Sequence, residues 1–251
     1  IKRIRKKKKR KINNFSFFYG TIMIGDTMEV TNKLYLNQGI HVICTLFTVD
    51  KGIVKVLLIK RKHEPFKDKW ALVGGALYNN EDLLEGLRRE VYEKSGIKDI
   101  NFYLVDVHGK VDRSPVMRMV AVSYLGIIDI NSVNLIKETL KTSDAEWMAI
   151  DQIKDLAYDH DEIIESSYEL LKSMILKSNI LASLFPHGFT MPEIQKTYEA
   201  ILETKFDRRN FRRKLLSLNL IDETDEEVRF EGNKPAKLYK FKEKIEDIKV
   251  F

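Results

Sequence analysis

Residues 75–97 carry the most informative pattern in the sequence: Gly75-Ala-Leu-Tyr-Asn-Asn-Glu81-Asp-Leu-Leu-Glu-Gly-Leu-Arg-Arg89-Glu90-Val-Tyr-Glu93-Lys94-Ser-Gly96-Ile97. Its leucines and valine recur at helical spacing, and a glycine such as Gly96 commonly ends a helix. Glu90 and Glu93 are three residues apart, so a helix places both carboxylates on one face, where they can hold a hard cation such as Mg²⁺. We therefore expect a helix over residues 81–95 that carries paired carboxylates.

The surrounding sequence predicts an α/β layered domain, because strand patterns and helix patterns are mixed along the chain. A run rich in β-branched residues from Gly39 to Val49 predicts a strand, and Asp50-Lys51-Gly52 predicts the turn that follows it. Amphipathic spacing predicts a second helix over residues 159–176. Further strands are expected over residues 54–60, 70–75, 102–107 and 116–128.

The opening stretch strongly resembles the Nudix box: a glycine, five residues, a glutamate, seven residues, then Arg-Glu-apolar-x-Glu-Glu-x-Gly-apolar. Eight of the nine fixed positions match. The resemblance implies a Nudix fold, which is an α/β/α sandwich with a mixed sheet, and a ligand like a nucleoside diphosphate. It also implies that Glu90 and Glu93 bind metal and act in catalysis, that the Gly74 carbonyl faces the metal, and that Arg89 assists as a catalytic residue by steadying a carboxylate.

The ninth position departs from the family, because Lys94 stands where a second glutamate is usual. An ammonium at i+4 from Glu90 can form a salt bridge that competes with the metal. Two unit charges about 4 Å apart interact by roughly 4 kcal/mol at an effective dielectric near 20. We therefore expect Mg²⁺ to bind weakly and hydrolysis to be weak or lost.

Four residues around the box are candidates for ligand binding, and three of them have an alternative role. Arg61 can meet a phosphate or be a solvated strand end, and Trp70 can stack on a base or pack in the core. Gly75 lets the backbone come close to the helix and the ligand. The segment 158–161 (Tyr-Asp-His-Asp) resembles one in Nudix regulators and their ADP-ribose-cleaving relatives, which implies a role for His160, although this cluster can also cap a helix.

A second set of patterns begins near residue 178. Thr190-Met-Pro-Glu193 is a capping box that begins a helix, and Asp207 caps the next one, in which Phe211 and Leu215 face inward. Arginine recognises guanine edges, asparagine recognises adenine and cations contact phosphates, so a helix rich in these residues is typical of major-groove recognition. The candidates for DNA contact on this helix are Arg208, Arg209, Asn210, Arg212, Arg213 and Lys214.

A hairpin with basic residues follows this helix. Strands are predicted at 228–230 and 237–241, and Lys234 and Lys237 are candidates for phosphate contacts. Residues 189–241 resemble the C-terminal domain of NrtR-like, Nudix-related transcriptional regulators, which implies a winged helix-turn-helix. The alternative is a small protein-interaction domain with a solvated basic face.

Composition sets the remaining bounds. Nine of the 43 Lys and Arg lie in the first twelve residues, and we expect residues 1–30 to form a basic, disordered segment. The Nudix domain is expected over residues 31–177 and the winged helix over 178–251. The single cysteine, Cys44, suits a packing role in a reducing cytoplasm, and no apolar run is long enough to cross a membrane.

Together the two resemblances imply a ligand-responsive, DNA-binding transcription regulator with a degenerate Nudix domain. It would bind double-stranded DNA as a cytoplasmic homodimer and sense ADP-ribose or a related nucleotide or sugar. One alternative is a working Mg²⁺-dependent Nudix hydrolase of ADP-ribose or another nucleoside diphosphate derivative, which a distant glutamate could complete. The other is an inactive effector-binding protein without DNA affinity.

Overall fold

The computed structural model describes residues 38–228 and 235–242. The predicted disordered segment over residues 1–30 and the candidate Lys234 lie outside the described residues.

A six-stranded sheet forms the centre of the first part of the chain, with the strand order β4-β5-β1-β3-β2-β6. Strand β3 pairs on one side with β1 and on the other with β2, both antiparallel, so it is wedged between the open ends of the β1–β2 hairpin. The strands are β1 (Gln38–Asp50), β2 (Ile53–Arg61), β3 (Trp70–Ala76), β4 (Phe102–His108), β5 (Arg118–Ile127) and β6 (Thr142–Ala149).

Helices cover both faces of this sheet, which confirms the predicted α/β/α sandwich. Alternate side chains of β1, such as Cys44 and Leu46, share an apolar cluster with Leu87 and Val91 of helix α1 (Leu83–Ser95). The side chains at the alternate positions Ile43 and Phe47 belong to the cluster of helix α2 (His160–Ile175). This alternation follows from the period of two along a strand, and it leaves Cys44 fully buried in a packing role.

Two details differ from the sequence-based prediction. Helix α1 begins at Leu83 rather than Glu81, because Asp82 and Glu85 form a capping box that fixes the first turn there. Strand β6 was not predicted at all. It is an edge strand that pairs only with β2 in the described sheet, and its sequence, Thr-Ser-Asp-Ala-Glu-Trp-Met-Ala, lacks a β-branched apolar run.

The second part of the chain is a helix-turn-helix followed by a hairpin, as predicted. The Thr190–Glu193 capping box is present, and the Asp207 side chain accepts a hydrogen bond of 2.9 Å from the backbone of Asn210. The hairpin begins earlier than expected, at Ile221 rather than Val228. The elements are α3 (Met191–Leu202), α4 (Arg208–Ser217), β7 (Ile221–Val228) and β8 (Ala236–Phe241).

One apolar core continues from the sheet into the winged helix. The cluster that contains Phe47 of β1 also contains Tyr168 of α2, Tyr198 of α3 and Phe211 of α4. Two hydrogen bonds reinforce this junction. The Tyr168 hydroxyl donates to the Ile201 carbonyl at 2.9 Å, and the Tyr198 hydroxyl donates to the Ile175 carbonyl at 3.4 Å.

Among the helices in the described part of the chain, none is long and apolar enough to span a lipid bilayer.

Candidate functional site

The paired carboxylates of α1 face the Gly74-Gly75 end of strand β3. Glu90 is 2% exposed and lies directly over the backbone of Gly75, where an added Cβ would collide with its carboxylate. A Cβ at Gly74 would collide in the same way with the carbonyl of Val42. The two glycines therefore allow the helix and the strands to approach closely enough to bring Glu90 against the sheet.

Arg89 contacts two carboxylates of this acidic group. Its guanidinium forms ion pairs with Glu81 at 2.5 Å and with Glu90 at 2.6 Å, and it donates a hydrogen bond to the Ala76 carbonyl at 3.0 Å. The ring of Tyr78 covers its other side, 3.8 Å from the guanidinium carbon. The contacts with Glu81 and Glu90 raise the pKa of Arg89 and fix the positions of these two carboxylates.

Two ammonium groups contact the residues that the resemblance assigned to a metal. Lys94 Nζ donates to the Gly74 carbonyl and lies 3.0 Å from Glu90 Oε2, in an ion pair that lacks the angle of a regular hydrogen bond. Lys141 Nζ lies 3.2 Å from Glu93 Oε2 and 3.6 Å from Glu90 Oε1. The predicted Glu90–Lys94 salt bridge is therefore present, and Lys141 adds a second one from outside the box.

The electrostatics of this cluster follow from burial and these ion pairs. Burial alone would raise the pKa of the Glu90 carboxyl, but the charges of Lys94, Arg89 and Lys141 outweigh burial and hold that pKa below its ordinary value. Burial lowers the pKa of the Lys94 amine, and Glu90 offsets this only in part. Glu90 thus stays ionised and already has three cationic neighbours.

A small cavity of about 70 Å³ lies beside this cluster. Of the predicted ligand-binding residues, it brings together Arg61, Gly75 and His160, along with Gly74 and Lys94. Trp70 does not line it and instead packs against the apolar cluster on the α2 side of the sheet. The cavity holds about two water molecules at roughly 30 Å³ each, or one phosphoryl-sized group, and is far smaller than a typical ligand site of roughly 300–1,000 Å³. A whole nucleotide therefore requires the cleft to widen.

His160 joins the first turn of α2 to strand β3. Its Nδ1 accepts a hydrogen bond of 3.0 Å from the backbone N–H of Leu72. Burial lowers the pKa of His160 to about 3 and that of His41, on the same cavity, to about 4. Both rings are therefore neutral at pH 7, and the bond to Leu72 leaves the His160 proton on Nε2.

The sequence suggested that the cluster around His160 caps a helix, but Asp159 does not do so through its side chain. Asp159 occupies the N-cap position, but its side chain makes no cap hydrogen bond. It instead forms a bidentate pair with Arg113, at 2.8 and 2.9 Å, and both side chains are nearly inaccessible to solvent. This pair fixes the start of α2 next to the cavity.

The predicted recognition helix, α4, has an apolar inner side and a basic outer side. Phe211 and Leu215 are buried, whereas all six candidates for DNA contact on this helix are exposed. Within residues 38–228 and 235–242, no carboxylate forms an ion pair with any of its five cations. Two of the candidates interact with neighbours: Arg213 donates to Asn210 Oδ1 at 2.9 Å, and Arg212 donates to the Tyr239 hydroxyl at 3.2 Å.

The hairpin is more acidic than its lysines suggested. Strand β7 carries five acids, and three of them neutralise lysines of β8: Lys237 lies 3.5 Å from Glu223 and 4.0 Å from Glu227, and Lys240 lies 3.8 Å from Glu226. The Tyr239 hydroxyl also donates to Glu223 at 3.0 Å. Lys237 therefore lies on strand β8 of the hairpin with its charge already compensated.

Sequence reasoning missed three residues of the cleft region, namely His41, Arg113 and Lys141. His41 had a signal, because it is two residues before Ile43 on β1 and so shares the face that meets the cavity. Arg113 and Lys141 lie between strands, where no periodicity applies. Arg113 contacts Asp159, which is 46 positions away in the chain, and Lys141 contacts Glu93, which is 48 positions away.

Comparisons with known proteins agree with this arrangement. The NUDIX domain family matches residues 38–167, and the NrtR DNA-binding winged helix domain family matches residues 181–241. The "ADPR responsive transcriptional repressor NtrR" of Acinetobacter baylyi is 31% identical over 200 residues, covering 78% of this chain and 79% of that protein. The "ADP-ribose pyrophosphatase" of Methanocaldococcus jannaschii is 33% identical over 137 residues, covering 53% of this chain and 75% of that protein.

Two solved structures of NrtR from Shewanella oneidensis are similar to this fold. The complex with a 27mer DNA matches with a TM-score of 0.69 at 28% identity, over 81% of this chain and 93% of that chain. Its NUDIX domain in a cocrystal with ADP ribose matches with a TM-score of 0.52 at 26% identity, over 55% of this chain and 92% of that chain. With both domain families matched in the same order, the chain belongs to the NrtR family, in which a NUDIX domain is followed by a winged helix domain.

Proposed function

We propose that this chain is a transcriptional regulator that binds double-stranded DNA through α4 and responds to ADP-ribose or a related nucleotide or sugar. The observation that carries the proposal is the basic outer side of α4, with five exposed cations on a helix held by a buried apolar side. Such a helix supplies arginines for base edges and further cations for phosphates. The named relatives from Acinetobacter and Shewanella support the same assignment.

The cleft in this proposal holds its effector without cutting it. Glu90 and Glu93 would have to bind a metal ion to activate water, but their oxygens already contact the ammonium groups of Lys94 and Lys141. Arg61 and the Nε2–H of His160 remain on the cavity as donors to an anionic ligand.

Helix α2 is the route by which effector binding would reach DNA. Its first residue, His160, lines the cleft, and its later residue Tyr168 holds the last turn of α3 through the Ile201 carbonyl. An effector that widens the cleft would shift the start of α2 and with it the helix-turn-helix. Coupling of this kind between two sites is typically about 1–3 kcal/mol.

The regulator would act as a homodimer in the cytoplasm. A two-fold arrangement sets two copies of α4 about one helical turn of DNA apart, or a multiple of it, on a palindromic site. Both the DNA and the nucleotide effector are found in that compartment.

The test is a gel shift with the DNA upstream of the protein's own gene, at low salt, with and without ADP-ribose. We expect a complex that weakens steeply as salt rises and that changes on addition of the effector. The double variant Arg212→Gln/Arg213→Gln should fold but lose the complex. Absence of any complex with the unaltered protein at low salt would refute the proposal.

The rival function is hydrolysis, which the similarity to the Methanocaldococcus pyrophosphatase favours. It predicts Mg²⁺-dependent cleavage of ADP-ribose that Glu93→Gln abolishes. Rapid turnover by the unaltered protein would favour this rival over a regulator that only holds its ligand.

A further inference from the structure

We infer that the ammonium group of Lys94 replaces the metal ion of the Nudix cleft, so that this protein binds the diphosphate of its effector without a divalent cation. This inference rests on the proposed function, because it concerns the same cleft and the same class of effector. It goes further in stating how the ligand is held and what the binding does not require.

The residues present do not fit a divalent metal ion. Mg²⁺ requires oxygen ligands at about 2.0–2.1 Å, whereas the Gly74 carbonyl and Glu90 both contact the Lys94 ammonium. A metal ion here would have to displace a buried cation of like charge.

The Lys94 ammonium itself is placed to serve a ligand. It is 8% exposed, and two neighbouring acceptors, the Gly74 carbonyl and Glu90, hold it in position. Of its three N–H donors, the Gly74 carbonyl takes one and Glu90 only pairs with the charge, so a donor is left for an oxygen atom in the cavity that Lys94 lines.

The lining of the cavity selects an anion. Arg61 contributes a guanidinium, and His160 contributes an N–H because the Leu72 amide fixes its proton on Nε2. No acidic side chain is among the described residues that line the cavity, and the nearby Glu90 carboxylate is already paired with Lys94 and Arg89. Donors from a lysine, an arginine and a neutral histidine around a phosphoryl-sized space match the oxygens of a diphosphate.

The inference is tested by isothermal titration with ADP-ribose, in EDTA and in millimolar MgCl₂. For the unaltered protein we expect the same Kd in both buffers. Lys94→Met should weaken binding about 10- to 100-fold in both, which corresponds to the loss of a charge-assisted hydrogen bond. Lys94→Glu should weaken binding in EDTA and recover it when Mg²⁺ is added.

Lys98→Met is the matched control, because Lys98 is four residues further along and exposed, with its ammonium 4.5 Å from the ring centre of Tyr92. It should bind like the unaltered protein in both buffers, and thermal melting of every variant checks its folding. The comparison of Kd in EDTA and in MgCl₂ for the unaltered protein tests the inference even if a variant fails to fold. Binding that disappears in EDTA would overturn the inference while leaving the effector assignment intact. Absence of ADP-ribose binding in both buffers would overturn this inference and the effector assignment in the proposed function together.

Discussion

His160 should make the stability of this protein depend on pH between 7 and 5. Its pKa is about 3 in the folded protein and about 6.5 in an unfolded chain. As the pH falls below 6.5, the unfolded chain takes up a proton that the folded protein does not, so the free energy of unfolding falls with pH. The contribution of His160 is complete above pH 6.5 and is lost as the pH approaches 3.

The size of the effect follows from the slope of about 1.4 kcal/mol per pH unit for one proton. Between pH 7 and pH 5, His160 should account for a loss of about 2 kcal/mol. His41, with a pKa of about 4, should add a comparable loss. Carboxylates with lowered pKa values, such as Glu90 and Asp159, titrate in the unfolded chain near pH 4, so their losses lie mostly below this window.

The measurement is urea unfolding at pH 7 and at pH 5 for the unaltered protein and for His160→Asn. Asparagine keeps an acceptor for the Leu72 N–H but does not titrate, so the variant should lose about 2 kcal/mol less over this range. His63→Asn is the control, because that histidine is exposed. If His160→Asn loses as much stability as the unaltered protein, the argument from burial of His160 is wrong.

DNA binding should be electrostatic and local to α4. Arg208→Gln should reduce the slope of log Kd against log salt by about 0.9 for each phosphate that the arginine neutralises, whereas Lys205→Gln, outside the helix, should leave the slope unchanged in filter-binding series. The double variant Glu226→Gln/Glu227→Gln should bind DNA more tightly, because Lys240 loses its ion pair with Glu226 and Lys237 keeps only the one with Glu223; weaker binding in gel shifts would contradict this. Tyr168→Phe should cost about 1 kcal/mol in urea unfolding and weaken the response of DNA binding to ADP-ribose, and a full response would show that its bond to α3 carries no signal.

Much of the fold could be predicted because its signals are local. The Gly75–Ile97 stretch, the two capped helices and the β-branched strands each depend on residues within one or two turns of each other. Strand β6, which contains Asp144 and Glu146, could not be predicted. An edge strand pairs with only one neighbouring strand, here β2, and therefore needs no run of apolar residues. Most of strand β7 could not be predicted either, because its acidic residues suggest a loop. They are stable in a strand only because the lysines of β8 lie opposite them.

The candidate site was predictable in its residue types but not in its partners. The spacing of Glu90 and Lys94 was enough to predict their ion pair, because it depends on one helix alone. The contact of Lys94 with the Gly74 carbonyl, and of Lys141 with Glu93, depends on how distant segments pack, which no local pattern records. The sequence also left open whether Trp70 stacks on a ligand or packs in the core, and the structure places it against the core.

The uninterrupted apolar core limits how proteins of this kind can be recombined. A domain exchange with its boundary at residue 178 would separate Tyr168 from Tyr198. Apolar side chains of both domains would then lose their native packing partners. Exchanging the whole winged helix domain between relatives would therefore reduce stability at the interface between the two domains. New operator preferences are more easily acquired by substitutions on the outer side of α4, which the core does not constrain.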